Sequence, residues 1–314
     1  MCCGVEGSGR LETSRRTRRL VWFDRPRRQF TYVNAPFYDS HNHLQDPALS
    51  PHIEGVLLDI DRMNVRQAVV NGTREEDWPA VSALCRRNKA LVPSYGLHPW
   101  YVKNASPNWQ TDLIKHLDQS PAGIGEIGLD RWIENYDLPK QEEVFLWQWR
   151  LATERNLPVS IHCLRAWGRL LELLEREPGP GCGFLLHSYG GPQEMIRPLA
   201  KLGAYFSISG YFAHERKAHQ REVFRHVPPD RLLIETDAPD MLPPSEYIEY
   251  PLSDATSGKP VNHPANIGAI YRFVAEMFGE TIETLAARVS ENFMRLFGGV
   301  LATSPGKRTD DSVR

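Results

Sequence analysis

No run of about 18 apolar residues occurs in this chain, so no segment is expected to cross a bilayer as a helix. Net charge is nearly absent. The 37 basic and 39 acidic residues leave −2, which excludes a global pull toward nucleic acid or anionic membrane and leaves only local patches. The five cysteines (Cys2, Cys3, Cys85, Cys163 and Cys182) show no zinc-knuckle spacing and are read as reduced thiols of a cytoplasmic protein. No internal repeat or low-complexity tract stands out. No glycine-rich G-x-G-x-x-G turn opens the first strand–helix unit, which argues against a dinucleotide-binding sheet.

What is present begins with a basic arm. Residues 1–30 carry arginine at 10, 15, 16, 18, 19, 25, 27 and 28 but few core-forming side chains. Ser14-Arg15-Arg16 lacks the apolar run that an export signal needs, because Asp24 and Arg25 interrupt the segment after Leu20. Residues 1–31 are therefore expected to be a disordered extension, with an arm lying along a polyanion as the alternative. The folded domain is expected over 32–299, followed by a flexible tail at 300–314.

Beyond the arm, β-prone and helix-like segments alternate. Strands are expected at 36–41, 67–71, 91–96, 122–126, 158–162, 183–187, 204–209 and 231–235, with helices at 73–87, 139–155, 192–201, 215–226, 265–278 and 281–296. In the second of these helices Val144, Phe145, Trp147, Leu151 and Ala152 are expected to face the core. The last is expected to stop at Gly298-Gly299. Eight strands alternating with helices predict an α/β fold, a single-domain (β/α)8 TIM barrel.

In such a barrel the C-terminal strand ends share one pocket. His41 and His43 end the first strand, and His98 follows the third. Glu126 and Asp130 end the fourth, His162 the fifth, His187 the sixth and Asp237 the eighth. Histidines two apart on a strand address one point. Alone, any of these groups reads as a satisfied core residue. Converging on one rim, they would meet large desolvation and repulsion costs without a cation.

The ordered set His41-x-His43, Gly96-Leu97-His98-Pro99, Gly125-Glu126-Ile127-Gly128-Leu129-Asp130, His162, His187, Glu235-Thr236-Asp237-x-Pro239 and Asn292-x-x-x-Leu296-Phe297 resembles the TatD-type deoxyribonucleases of the amidohydrolase superfamily. The resemblance implies a TIM barrel whose two divalent ions activate water to cleave DNA phosphodiesters. By position it implies that His41, His43, Glu126 and Asp237 hold one ion, and that Glu126, shared, holds the other with His162 and His187. It places His98 near the substrate phosphate and makes Asp237 and Glu126 the catalytic carboxylates. Asp237 orients or deprotonates the water. Mixed imidazole and carboxylate donors suit Zn, Mn or Mg alike.

The outer contacts depart from the family pattern. Leu164 stands where an arginine is usual, so a phosphate contact there passes to Arg165 or is lost. Asn262 matches a family asparagine and is expected to meet substrate. His263 is read as a loop histidine, with a ligand role as the alternative. Trp100, Tyr101, Trp132 and Tyr189 follow strand ends, where they can stack on bases or simply pack. The leading expectation is a monomeric exonuclease on single-stranded or frayed DNA, with no organic cofactor. The alternative is a small-molecule hydrolase acting on an amide, lactone or small phosphoester. A non-enzymatic binder using the basic arm is disfavoured by the complete ligand set.

Overall fold

The apolar runs between polar turns form strands buried on both faces, as parallel strands covered by helices require. The computed structural model describes residues 35–302, so the basic arm and most of the expected tail lie outside the described residues. The strands are β1 (Phe37–Asn42), β2 (Val65–Asn71), β3 (Leu91–Tyr95), β4 (Gly123–Asp130), β5 (Val159–Leu164), β6 (Phe184–Leu186), β7 (Ala204–Ser209) and β8 (Leu232–Glu235). They are parallel and pair in sequence order. The seam between β1 and β8 closes just past the strand ends. Asp237 N–H donates to His41 O at 2.9 Å and His43 N–H to Ala238 O at 2.8 Å. The expected (β/α)8 barrel is the architecture observed.

The helices are α1 (Ile53–Arg62), α2 (Trp78–Arg87), α3 (Trp109–Gln119), α4 (Leu138–Arg155), α5 (Trp167–Arg176), α6 (Ile196–Lys201), α7 (Ala218–Phe224), α8 (Ile267–Phe278) and α9 (Ile282–Ala302). Helix α2 starts five residues later than its periodicity suggests, because the Asp77 carboxylate ties Thr73 N and Oγ1 into a turn. In α4 the fully buried indole is Trp149, packed on Phe145 and Phe184. Trp147 is half-buried against Trp109. Helix α9 runs through Gly298 and Gly299 to Ala302, with Val300 buried, so the glycines do not end it. Core packing from the barrel side outweighs their weak helix propensity.

Glycine sets how closely β4 approaches β5. At Gly128 (φ +153°) a Cβ would lie 1.9 Å from His162 O, so only glycine lets the two strands pair there. That approach carries Glu126 and His162 to the same mouth. No helix among the described residues is long and apolar enough to cross a membrane.

Candidate metal centre

The strand alternation at the end of β1 turns both imidazoles the same way, and His41 Nε2 lies 3.2 Å from His43 Nε2. Asp237 sits just after β8 in a left-handed conformation (φ +54°), a strained position for an aspartate, and the seam bond to His41 O holds it there. Its Oδ1 is 3.6 Å from His41 Nε2 and 3.5 Å from His43 Nε2. Glu126 Oε2 joins them at 3.5 and 3.3 Å. A tetrahedral shell with bonds of about 2.0–2.1 Å has edges of about 3.3–3.4 Å, and these five separations match that size.

The other Glu126 oxygen faces a second group. Oε1 is 3.0 Å from His162 Nδ1, 2.9 Å from His187 Nε2 and 3.3 Å from His98 Nε2. His162 Nδ1 and His187 Nε2 are 3.3 Å apart. One buried carboxylate therefore divides its two oxygens between two clusters of donors.

Acceptors behind the rings set the inward-facing atoms. His43 Nδ1 lies 2.8 Å from Asn71 O, a carbonyl that only accepts, so Nδ1 carries hydrogen and Nε2 turns its lone pair inward. His162 Nε2 lies 3.0 Å from Asp130 Oδ2, which leaves His162 Nδ1 facing Glu126. Lone pairs and carboxylate oxygens converging in a buried pocket need a positive charge between them. A bound metal cation fits this donor set.

The titration behaviour agrees. Burial opposes charge on Glu126, but the surrounding imidazoles, His98 and His187 foremost, outweigh it and hold the carboxyl well below its usual range. Burial likewise opposes protonation of His43 and His187. Asp237 and Glu126 beside the first, and Glu126 beside the second, raise both well above the ordinary histidine value. His41 goes the other way, lowered by burial and by the nearby His187, whose ring stacks on it at 4.2 Å. The carboxylates demand positive charge, and without ions protons supply it. Below the pocket, burial raises the Asp39 carboxyl to about 7 against its bonds from Thr236.

Several supporting roles are not evident from the sequence. Two buried glutamines a heptad apart on α4 grip the rim from behind. Gln141 Oε1 accepts from Asp130 N and its Nε2 donates to Asp130 O, while Gln148 does the same for Leu97. Polar residues on an otherwise apolar helix face were the available signal. Glu235, fully buried, accepts from Ser188 and Ser207 and lies 3.7 Å from His187 Nδ1. Trp100 Nε1 donates to Asp130 Oδ2 at 2.7 Å, beside the His162 bond.

His98 is brought to the cluster. Its Nδ1 accepts from Trp100 N at 3.2 Å, so the neutral ring carries hydrogen on Nε2, and burial lowers its pKa to about 4. Arg165 is exposed at the rim, with its guanidinium 4.0 Å from the Trp132 ring centroid. Asn262 spends its amide on the backbone behind Asp237. It is fully buried, donating to Thr236 O and accepting from Asn266, so its amide braces the turn after β8. Tyr189 is fully buried too, with its hydroxyl donating to Pro192 O, and presents no face for stacking.

His263 caps the start of the 264–266 turn, accepting from Ala265 N at 3.0 Å. Burial lowers its pKa to about 4, with Asp59 3.7 Å away as a partial counterweight. The unfolded ring takes up a proton below about 6.5, whereas the folded ring resists until about 4. Stability is thus present above pH 6.5 and lost as pH falls toward 4, by up to about 3 kcal/mol. His263→Asn keeps a capping acceptor and is expected to flatten the fall of Tm across that interval. An unchanged slope in thermal melts of the variant would refute this account.

The family model described as TatD related DNase matches residues 38–298. The 3'-5' ssDNA/RNA exonuclease TatD of Citrobacter koseri is 32% identical over 273 residues, covering 85% of this chain and 96% of that protein. The metal-dependent hydrolase YjjV of Escherichia coli is 28% identical over 264 residues, 83% of this chain and 97% of that one. The crystal structure of the TatD homologue YjjV superposes with a TM-score of 0.75 at 28% identity, covering 85% of this chain and 99% of that structure.

Proposed function

Because the chain belongs to the TatD related DNase family and is thus a metal-dependent hydrolase, we propose that it removes nucleotides from the end of a single-stranded or frayed nucleic acid. The division of the Glu126 oxygens between two donor clusters is the observation that supports this reading most. His41, His43, Asp237 and Glu126 Oε2 would hold one ion, for which the tetrahedral spacing favours Zn over Mn or Mg. His162, His187 and Glu126 Oε1 would hold the other. When bound, such a pair activates a water and stabilises the charge that develops on the phosphoryl group.

The protein's own groups then act around that chemistry. Asp237 takes the proton of the attacking water. His98, neutral at pH 7 and carrying hydrogen on Nε2, donates to a phosphoryl oxygen without competing as a ligand. Asp130 fixes the His162 ring. All donors come from one chain, so a monomer suffices.

The decisive experiment uses metal-stripped protein, with Mg, Mn or Zn restored, on end-labelled single-stranded DNA and RNA beside a panel of small esters, lactones and amides. Metal-dependent shortening from one end is expected, and it gives the polarity. Intact oligonucleotides with turnover of a small substrate would overturn the reading. The half-buried Leu164, where an arginine is usual in the family, would then be the first place to seek specificity.

A further inference from the structure

Exposed aromatic surface is concentrated on one side of the barrel mouth. Among the described residues five large apolar side chains are substantially exposed. The three aromatic ones, Trp100 (50%), Trp132 (61%) and Tyr136 (39%), all lie in the loops after β3 and β4. Leaving an indole in water forgoes burial that the fold could otherwise use, and two such indoles beside a reaction centre point to a ligand.

Their placement is fixed by one carboxylate. Asp130 Oδ2 accepts from Trp100 Nε1 at 2.7 Å, and Oδ1 accepts from Trp132 N at 2.6 Å. The same Oδ2 holds His162. Trp100 also stands edge-on to His98 with ring centroids 4.9 Å apart. Both loops are therefore anchored to the donor cluster, and their indoles still reach solvent. Cationic side chains accompany them. The guanidinium of Arg165 lies 4.0 Å from the Trp132 centroid, that of Arg131 lies 5.8 Å from Tyr136, and Arg74 lies 4.8 Å from Tyr101 in the same loop as Trp100.

We propose that Trp100 and Trp132, with Arg165, form a base-stacking platform that seats the terminal nucleotides of a single strand beside the scissile phosphate. This rests on the nuclease reading above and names what that site selects. Unpaired bases offer π-faces to flat side chains, and bases held in a duplex do not. Alternating aromatic and guanidinium groups match a chain of bases and phosphates, where a small amide or lactone would use neither. The net charge of −2 is no obstacle, because the positive groups needed are local.

The test measures binding and turnover of a labelled single-stranded oligonucleotide by Trp132→Ala, Trp132→Phe and the parent. A matched strand with abasic sites at its end serves as the comparison. The parent is expected to prefer the normal end. Trp132→Ala should raise Kd and KM for it by about tenfold or more and lose the preference. Trp132→Phe should restore most of both. Because Trp132 is exposed, its truncation leaves the barrel core intact. A parent that degrades single strands but treats abasic and normal ends alike would overturn the platform and leave the nuclease reading standing. So would a Trp132→Ala variant with unchanged KM. A parent that degrades no single strand removes both.

Discussion

Glu126→Gln is expected to lower metal-dependent hydrolysis by about 10³-fold or more and to strip most bound metal from the protein. The side chain keeps its size, but one carboxylate oxygen becomes an NH2 group and its charge disappears. Either His41 and His43 or His162 and His187 then face a donor in place of an acceptor. Removing one partner from a buried charged set costs on the order of 3–5 kcal/mol, so the metal-free variant should also melt earlier. Metal analysis beside rate measurements checks the claim. A variant that keeps the parental metal content and near-parental turnover would show that Glu126 is no bridge.

Asp237→Asn is expected to cut turnover by about 10³-fold with a much smaller loss of metal than Glu126→Gln produces. Asparagine retains an oxygen where Oδ1 stands, 3.5 and 3.6 Å from the two β1 imidazoles, and three other donors remain around it. What it loses is the capacity to take a proton. The two variants thus separate the role proposed for Glu126, holding the centre together, from the proton transfer proposed for Asp237. If Asp237→Asn turns over substrate at the parental rate with metal intact, the proton acceptor lies elsewhere.

Much of this centre is legible in the sequence. The i, i+2 histidines of β1 and the polar residues closing later strands carry their meaning in local periodicity, because a barrel points every strand end to one mouth. The family pattern implies a Glu126 shared between ions, and its two oxygens do face different donor groups. Less legible were the groups that act through tertiary register. Gln141 and Gln148 look like interruptions of an apolar helix face until their distance from Asp130 and Leu97 is known. Asn262 matched a motif, yet its amide turns toward Thr236 O. Which tryptophans reach water also depends on the loops: Trp132 projects outward, whereas Trp149 is interior. Periodicity misplaced the buried indole of α4 because Trp147 and Trp149 flank the same apolar stripe.

The seam has a consequence for the history of each molecule. Asp39 and Thr236, whose side chains bond across it, lie 197 positions apart in sequence. At synthesis rates of about 5–20 residues per second, β8 leaves the ribosome roughly 10–40 seconds after β1. Throughout that interval His41 and His43 have no Asp237 beside them, and the first strand has one open edge. On the role proposed for Asp237, hydrolytic competence arrives only with the closing strand, among the most non-local pairings in the chain. A nascent or truncated chain ending before residue 237 lacks the carboxylate that groups with His41 and His43, so under the proposed mechanism it is expected to be inactive by connectivity alone.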